Sequence, residues 1–338
     1  MNKKRLVWQV PFLIFLIIGT ILIIKKQQTP YQTDQGLVFG TVYKVTYQSD
    51  KNLKNDIDKA LKEVDETFST YNKNSIISKI NENEDVTVSD EFIKVYNIAQ
   101  KIYKETNGAY DITVAPLVNA WGFGFKNSDK VDSCTIDSIL RFVGSDKVSI
   151  QDGKVIKKDK RTMLDFSSIA KGYGVDAVGK ALEKQGVKNY MVDIGGEVVL
   201  KGTNPKMKNW RIGINKPIDD SLSVNQELQT ILELSDIGMA TSGNYRNFYY
   251  KGGKKYAHTI DPISGYPVQH SILSATVIAK DCTTADAYAT AFMAMGKEKA
   301  IALCNRHPEL DAYFICDDNK GGYEIVMTDG MKKYLVNR

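Results

Sequence analysis

The sequence predicts an α+β fold in which helices pack against a mixed sheet. Segments with strand and helix periodicity are interleaved along the chain without a regular βαβα rhythm. Asp152-Gly153 separates two short β-prone runs, which is the signal of a two-residue hairpin. The part after the N-terminal segment spans about 310 residues without a repeat or an evident internal linker. We therefore expect a single folded unit and leave open its division into two subdomains.

The first half of this unit contains one strand and two amphipathic helices. Gly36 to Tyr47 is rich in Val, Thr and Tyr, which favour strands. Apolar residues recur with helical spacing from Leu53 to Phe68 and again over residues 90–107. Asp90 and Gly108 are the residue types that cap the two ends of a helix, so we expect the second helix to lie between them.

The second half alternates strands and helices. A third helix is predicted from Ser168 to Gln185, ending at Gly186, and a buried strand from Tyr190 to Ile194. Further strands are predicted near 209–215, 228–234 and 272–280, followed by a helix over about 284–305 and two short closing strands.

The charge of the chain is concentrated at its N-terminal segment. The chain has 45 Lys and Arg against 40 Asp and Glu, and the excess of five equals the five basic residues of positions 1–26, which contain no acid. The remainder is therefore neutral, and this argues against a nucleic-acid partner, since nucleic-acid-binding domains carry a basic stripe.

Those basic residues flank an almost unbroken apolar run from Val10 to Ile24. Such a run is typical of a signal-peptide core or a short membrane anchor. Because Lys25, Lys26 and two Gln follow it instead of a small-residue cleavage site, we favour an uncleaved anchor, with Trp8 at the interface. We expect residues 1–28 to be this segment, 29–35 a linker, and 36–338 a domain on the extracytoplasmic face of the cell membrane.

A metal site is suggested near the start of the last predicted helix. Asp286 and Thr290 are four residues apart, so a helix presents both oxygens on one face. Hard oxygen donors of this kind suit Mg²⁺ holding phosphate oxygens, with Ca²⁺ as an alternative. Thr283 is the candidate N-cap. Taken alone, the same spacing also occurs on ordinary solvated helix faces.

Other clusters combine glycines with polar or aromatic side chains. The run Asp165-Phe-Ser-Ser168-Ile-Ala-Lys171-Gly172 enters the third helix and could receive a phosphate at the helix N-terminus, although it lacks the P-loop spacing. Glycines separate the aromatics of Gly108-Ala-Tyr-Asp111, which allows a flat ring to approach the backbone. Each cluster by itself is equally compatible with turn formation or core packing.

In their order and spacing these clusters resemble the ApbE family of FAD:protein FMN transferases, over about residues 36–330. The matching motifs are Phe39-Gly-Thr41, Ser69-Thr-Tyr71, Gly108-Ala-Tyr-Asp111, Trp121-Gly122, Asp165 to Gly172, Gly195-Gly196, Thr241-Ser-Gly243-Asn-Tyr245, His258-Thr-Ile-Asp261-Pro and Thr284-Ala-Asp286 to Thr290. The family commonly has Met where this chain has Phe39, which would change the packing of a ring without removing a polar group.

The resemblance implies an ApbE-like fold and a Mg²⁺-dependent transfer of FMN from FAD to a Thr or Ser hydroxyl of a target redox protein, with release of AMP. It also implies which residues would form the site. The metal ligands would be the Ser168 carbonyl and the side chains of Asp286 and Thr290. The FAD contacts would be Phe39, Tyr71, Ala109, Tyr110, Asp111, Asp165, Lys171 and the backbone around Ile260.

The acceptor hydroxyl needs a route for its proton, and His258 is the candidate general base. A binding role for His258 at the diphosphate is the alternative, and His270 and His307 are expected to be surface or packing residues. Asp286 is the second residue to which we assign a catalytic role. Two other functions remain open: an FAD diphosphatase that uses water as acceptor, and a non-catalytic flavin-binding protein of the cell surface.

Overall fold

The computed structural model describes residues 10–20, 29–124, 131–217, 227–244, 248–251, 254–318, 320 and 322–336, with side chains left out for 248–257. The strands are β1 Tyr31–Val38, β2 Thr41–Gln48, β3 Val148–Gln151, β4 Lys154–Lys157, β5 Tyr190–Ile194, β6 Glu197–Lys201, β7 Trp210–Asn215, β8 Leu228–Leu234, β9 Ile237–Gly243, β10 Phe248–Lys251, β11 Lys254–Ala257, β12 Ile272–Ala279, β13 Asp311–Asp317 and β14 Tyr323–Met327. The helices are residues 10–20 (α1), α2 Lys54–Phe68, α3 Ile76–Asn81, α4 Asp90–Glu105, α5 Ala115–Ala120, α6 Ser133–Leu140, α7 Ser167–Lys184, α8 Cys282–Met295 and α9 Lys297–Cys304.

An eight-stranded sheet in the order β1-β2-β5-β6-β9-β12-β13-β14 is the centre of the fold. All of its neighbouring strands are antiparallel. Apolar residues of α2, α4, α7 and α8 form the larger cores on this sheet. A separate apolar cluster joins the sheet to the β7–β8 hairpin. The α+β class predicted from the sequence is therefore confirmed, although the main sheet is antiparallel rather than mixed.

The predicted helices are present, with corrections at their ends. The N-cap of α4 is Ser89, whose hydroxyl accepts the Phe92 N–H at 3.2 Å, and not Asp90. Similarly, Asp281 and not Thr283 caps α8, because its carboxylate accepts the Thr284 N–H at 2.8 Å. The predicted helix over 284–305 is two helices that meet at Gly296, whose φ of 84° cannot continue an α-helix.

The single strand predicted over Gly36 to Tyr47 is instead a hairpin of β1 and β2. The chain turns at Phe39 and Gly40, with φ of 51° and 74°, as a two-residue turn requires. β1 begins at Tyr31, so most of the predicted linker 29–35 belongs to the sheet. The Asp152-Gly153 hairpin is confirmed between β3 and β4.

Most of the predicted N-terminal segment lies outside the described residues. Residues 10–20 are helical, and their large apolar side chains are exposed. Among the helices that can be described, none has the length and apolar character needed to cross a membrane.

Close contact between α7 and α8 positions the polar groups considered next. A Cβ placed on Gly172 would lie 2.4 Å from the Cys282 carbonyl oxygen and 2.7 Å from the Asp286 Cβ. Only a glycine at this position allows the two backbones to approach this closely. The start of α7 and the face of α8 that carries Asp286 therefore line the same space.

Candidate active site

A cavity of about 440 Å³ lies where α7, α8, the β5–β6 turn, the end of β9 and the loop at 258–262 meet. It brings together all but one of the residues predicted from the sequence to form the site. These are Tyr71, Ala109, Tyr110, Asp111, Asp165, Ser168, Lys171, His258, Ile260, Asp286 and Thr290.

Phe39 is the exception, and it lines an adjoining cavity of about 540 Å³. The two cavities share Tyr71, Asp165 and Lys171 among their lining residues. The Phe39 ring packs on α7 at Gly174, where an added Cβ would lie 2.8 Å from it. A bound ligand could therefore extend from the main cavity past Tyr71 to Phe39.

Asp286 is buried in the wall of the main cavity. Its Oδ2 accepts the Gly172 N–H at 2.9 Å. In an ideal α-helix that N–H would bond to the Ser168 carbonyl, so the Asp286 contact competes with the usual partner of this carbonyl. Burial raises the pKa of Asp286 to about 7, with Glu197 adding to the rise and Lys171 opposing it. A buried carboxylate with so few donors is suited to bind a cation.

Thr290 follows Asp286 by one helical turn and lines the same cavity. Its hydroxyl lies 3.2 Å from the Ser242 hydroxyl on β9. Thr241, the preceding residue of β9, points to the opposite face of the sheet, where it lies 2.8 Å from the hydroxyl of Thr276 on β12. Of these two hydroxyl groups of β9, that of Ser242 is therefore the one that contacts the helix that carries Asp286.

Lys171 and Glu197 form an ion pair at the edge of the cavity, with 2.7 Å between Nζ and Oε1. Glu197 is buried, and its Oε2 has no hydrogen-bond partner among the residues that the structure describes. Burial raises the pKa of the Glu197 carboxyl, although Lys171 opposes this rise. The lysine is thus held with its ammonium group at the cavity, where it can face an anion.

The hydroxyls at the start of α7 are held by aromatic and acidic neighbours. Ser168 donates to the Tyr110 hydroxyl at 3.0 Å, and Asp165 accepts the Ser167 N–H at 2.8 Å. Burial raises the pKa of both Tyr110 and Asp165. The first turn of α7 is therefore fixed before a ligand arrives.

Asp111 also lines the cavity, but its carboxylate bonds within the protein. Oδ1 accepts the N–H and hydroxyl of Thr113, each at 2.7 Å, and the Ser145 hydroxyl at 2.7 Å. Oδ2 accepts the Ser145 N–H at 3.1 Å. These bonds join two loops beside the cavity, so the side chain acts first on the shape of the wall.

His258 stands on the loop that closes one side of the cavity. The neighbouring Thr259 donates to the Asn244 side chain at 2.7 Å, and Ile260 is buried against Leu117 and Ile136. The other two histidines lie outside this cavity.

Sequence reasoning missed two buried acids near this site, Glu197 and Asp176. Asp176 accepts the N–H groups of Cys282 and Thr283 at 3.0 and 2.8 Å and the Thr283 hydroxyl at 2.5 Å. The sequence signal for Glu197 was its place directly after a buried strand and two glycines, whereas Asp176 stands inside a helix without a local cue.

Comparison with known proteins shows to which family the chain belongs. A profile of the ApbE family matches residues 39–314, which is most of the chain. The chain belongs to the ApbE family. The clusters recognised in the sequence all lie within the matched range, and most of them contribute residues to the main cavity.

Curated ApbE relatives match over nearly their full lengths. The FAD:protein FMN transferase of Vibrio cholerae is 40% identical over 81% of this chain and 85% of its own length. That of Haemophilus influenzae is 36% identical over 88% and 89% of the two chains.

Solved structures agree with these matches. The flavin transferase ApbE from Vibrio cholerae superimposes with a TM-score of 0.80 at 34% identity, covering 90% of this chain and 99% of its own. The apo flavinyl transferase ApbE of Pseudomonas stutzeri gives 0.79 at 30% identity, covering 91% and 99%.

Proposed function

We propose that this protein transfers FMN from FAD to a Thr or Ser hydroxyl of a target redox protein, forming a phosphoester and releasing AMP, with the help of Mg²⁺. Transfer of FMN from FAD to protein is the activity for which its curated relatives are named. We add to this activity three points: the acceptor is a hydroxyl group, the metal is Mg²⁺, and each site residue has the role given below.

The main structural support for this proposal is the arrangement of residues around Asp286. One incompletely bonded buried carboxylate, one lysine and the start of α7 face a single cavity that has a second, adjoining cavity. An ammonium group and a helix N-terminus stabilise a diphosphate. The two cavities together offer space for the two halves of a dinucleotide.

The donor set fits Mg²⁺. In the described part of the chain no group of three or more His, Cys, Asp or Glu could hold a metal ion. The Asp286 carboxylate, the Thr290 hydroxyl and the Ser168 carbonyl would instead supply hard oxygen ligands and leave positions for diphosphate oxygens and water. When bound, Mg²⁺ neutralises charge on the phosphate oxygens.

The residues of the chain supply the remaining functions. Lys171, held by Glu197, offsets further negative charge on the diphosphate. The bond that forms joins the acceptor oxygen to the phosphorus of the FMN half, and the bond that breaks frees AMP. His258 receives the proton of the acceptor hydroxyl. If His258→Ala transfers FMN within a few-fold of the wild-type rate, this base role is wrong.

The test is intact-mass spectrometry of an acceptor domain that carries the run Asp-Gly-x-Thr-Gly-Ala-Thr expected of family targets. The full-length protein is incubated with FAD and Mg²⁺, and AMP is measured in parallel. We expect a covalent FMN adduct on the acceptor that EDTA abolishes. Release of free FMN and AMP without an adduct would support the diphosphatase function, and retention of intact FAD would support a flavin carrier.

The apolar run of residues 10–24 supports a location at the membrane. With basic residues on both sides, it would hold the domain on the extracytoplasmic face, near electron-transport flavoproteins. Fractionation of cells that express the full chain, followed by protease treatment of intact spheroplasts, tests this location. Recovery of protease-resistant protein in the cytosol would contradict it.

A further inference from the structure

A third cavity, of about 310 Å³, adjoins the candidate active site. We call it the side groove and define it by Ala109, Ile263, Met295, Lys299, Ala302 and Arg306. Ala109 lines both the side groove and the main cavity, and Ile263 follows Pro262, which lines the main cavity. The side groove shares no lining residue with the cavity at Phe39.

The groove combines an apolar wall with two cationic side chains. Ile263 is 62% exposed. Lys299 lies in α9, and Arg306 follows seven residues later just beyond its end, so both project from about the same side. In the part of the chain that the structure describes, neither makes an ion pair with a carboxylate.

The carboxylate that lines the groove, Glu105, is directed to other partners. It accepts the Tyr288 hydroxyl and lies 3.7 Å from the Lys101 ammonium. Glu105 is thus engaged elsewhere, and among the described residues neither cation of the groove has a carboxylate as its ion-pair partner. An exposed apolar surface flanked by such cations fits a polypeptide segment that carries an acidic side chain.

The geometry of the reaction indicates which polypeptide this is. A protein hydroxyl has to reach the diphosphate inside the main cavity, so the chain on one side of that hydroxyl has to leave along a neighbouring surface. If FAD extends toward Phe39, the side groove, which shares Ala109 with the main cavity, is a neighbouring surface along which the acceptor can leave. We propose that the side groove binds the acceptor segment next to the modified hydroxyl, and that Lys299 and Arg306 bind an acidic side chain of that segment. This inference rests on the proposed function.

The test compares two charge-reversal variants of the full-length protein. One carries Lys299→Glu and Arg306→Glu. The control carries Lys94→Glu and Lys180→Glu, which reverse two lysines of a cavity that shares no lining residue with either the side groove or the main cavity. Initial rates of FMN attachment are measured against the concentration of the acceptor domain, and FAD binding is measured by flavin fluorescence.

For the groove variant we expect kcat/KM for the acceptor to fall by about 10-fold or more, as loss of charge complementarity slows association. The kcat at saturating acceptor and the Kd for FAD should stay within about two-fold of wild type, and the control should match wild type. An acceptor whose motif Asp is changed to Lys should regain activity with the groove variant.

Three outcomes would overturn the proposal. The groove variant could retain wild-type kcat/KM while wild type forms the adduct, in which case only the groove assignment fails. It could lose FAD affinity in parallel, which would place the two cations at FAD instead. Absence of any adduct with wild type would overturn the groove assignment together with the transferase function.

Discussion

Two buried aspartates on the packed helices α7 and α8 differ in how completely their oxygens are bonded. Asp176 accepts three hydrogen bonds from the first turn of α8, whereas Asp286 accepts one from Gly172. Both are buried, and burial raises the pKa of Asp176 to about 6 and that of Asp286 to about 7. The charged neighbours differ as well, since Lys171 and Glu197 act on Asp286 and Asp281 acts on Asp176. With both carboxylates buried, we attribute their different roles to the number of donors: Asp176 holds the fold, and Asp286 is available to a ligand.

The other two buried acids at the cavity also differ in how completely their carboxylate oxygens are hydrogen-bonded. Asp111 accepts four hydrogen bonds and joins two loops, while Glu197 keeps one oxygen without a partner at the cavity. Natural folds satisfy buried polar atoms almost completely, so an exception at a cavity marks a place where a ligand or ion completes the set.

The largest effect is expected for Asp286→Asn. The amide can still accept the Gly172 N–H but no longer supplies an anionic ligand, so FMN transfer should fall by about 100-fold or more. The midpoint of thermal unfolding should not decrease, because a buried charge is removed. Mass spectrometry of the acceptor and a thermal melt check the two expectations. If Asp286→Asn transfers FMN at a near wild-type rate, Asp286 is not the functional member of the pair.

Asp176→Ala should show the reverse pattern. Removing this side chain leaves three donors of α8 without a partner, and we expect the free energy of unfolding to fall by about 2–4 kcal/mol. Urea denaturation measures this loss. Transfer by the folded fraction should stay within a few-fold of wild type, and a large loss of transfer with unchanged stability would count against a structural role.

Gly172→Ala tests the helix contact that brings both aspartates into place. The added Cβ would meet the backbone of Cys282 at 2.4 Å, so the helices have to separate, at a cost of about 1–3 kcal/mol. Transfer should fall with stability. Gly179→Ala is the matched control on the same helix, since its Cβ would meet the movable Tyr190 side chain at 3.0 Å. Equal effects of the two changes would show that the α7–α8 contact is not specially tight.

The last expected effect, which leaves FMN transfer aside, is a dependence of stability on pH. Because the pKa of Asp176 is raised from 3.8 to about 6 in the folded state, its protonated form favours folding. That contribution is fully present below pH 4 and is lost as the pH rises through 6, and it amounts to at most about 3 kcal/mol. Thermal melts from pH 4 to 6 should show wild type declining relative to Asp176→Asn. Parallel curves for the two proteins would contradict the raised pKa.

The elements with strong local signals were predictable from the sequence. Apolar periodicity located α2 and α4, and Gly186 marked the end of α7. The β1–β2 turn was missed because Phe39 is an unusual residue at positive φ, and the break at Gly296 was missed because it lies within an apolar helical pattern.

The candidate site was predictable where the spacing of two residues in a helix determines which way their side chains face. Asp286 and Thr290 do face one cavity, as their separation by one turn requires. The pairing of Glu197 with Lys171 and the bonding of Asp176 depend on contacts between distant segments, which no local pattern records. The difference between Asp286 and Asp176 could therefore be seen only in the folded chain.

Isothermal titration of Mg²⁺ into the FAD-loaded protein distinguishes the two aspartates, with wild type, Asp286→Asn and Asp176→Asn compared at the same pH. We expect a saturable binding heat for wild type and for Asp176→Asn, and its loss in Asp286→Asn. Binding that survives in Asp286→Asn but is lost in Asp176→Asn would contradict the claim that the less completely bonded carboxylate is the functional one.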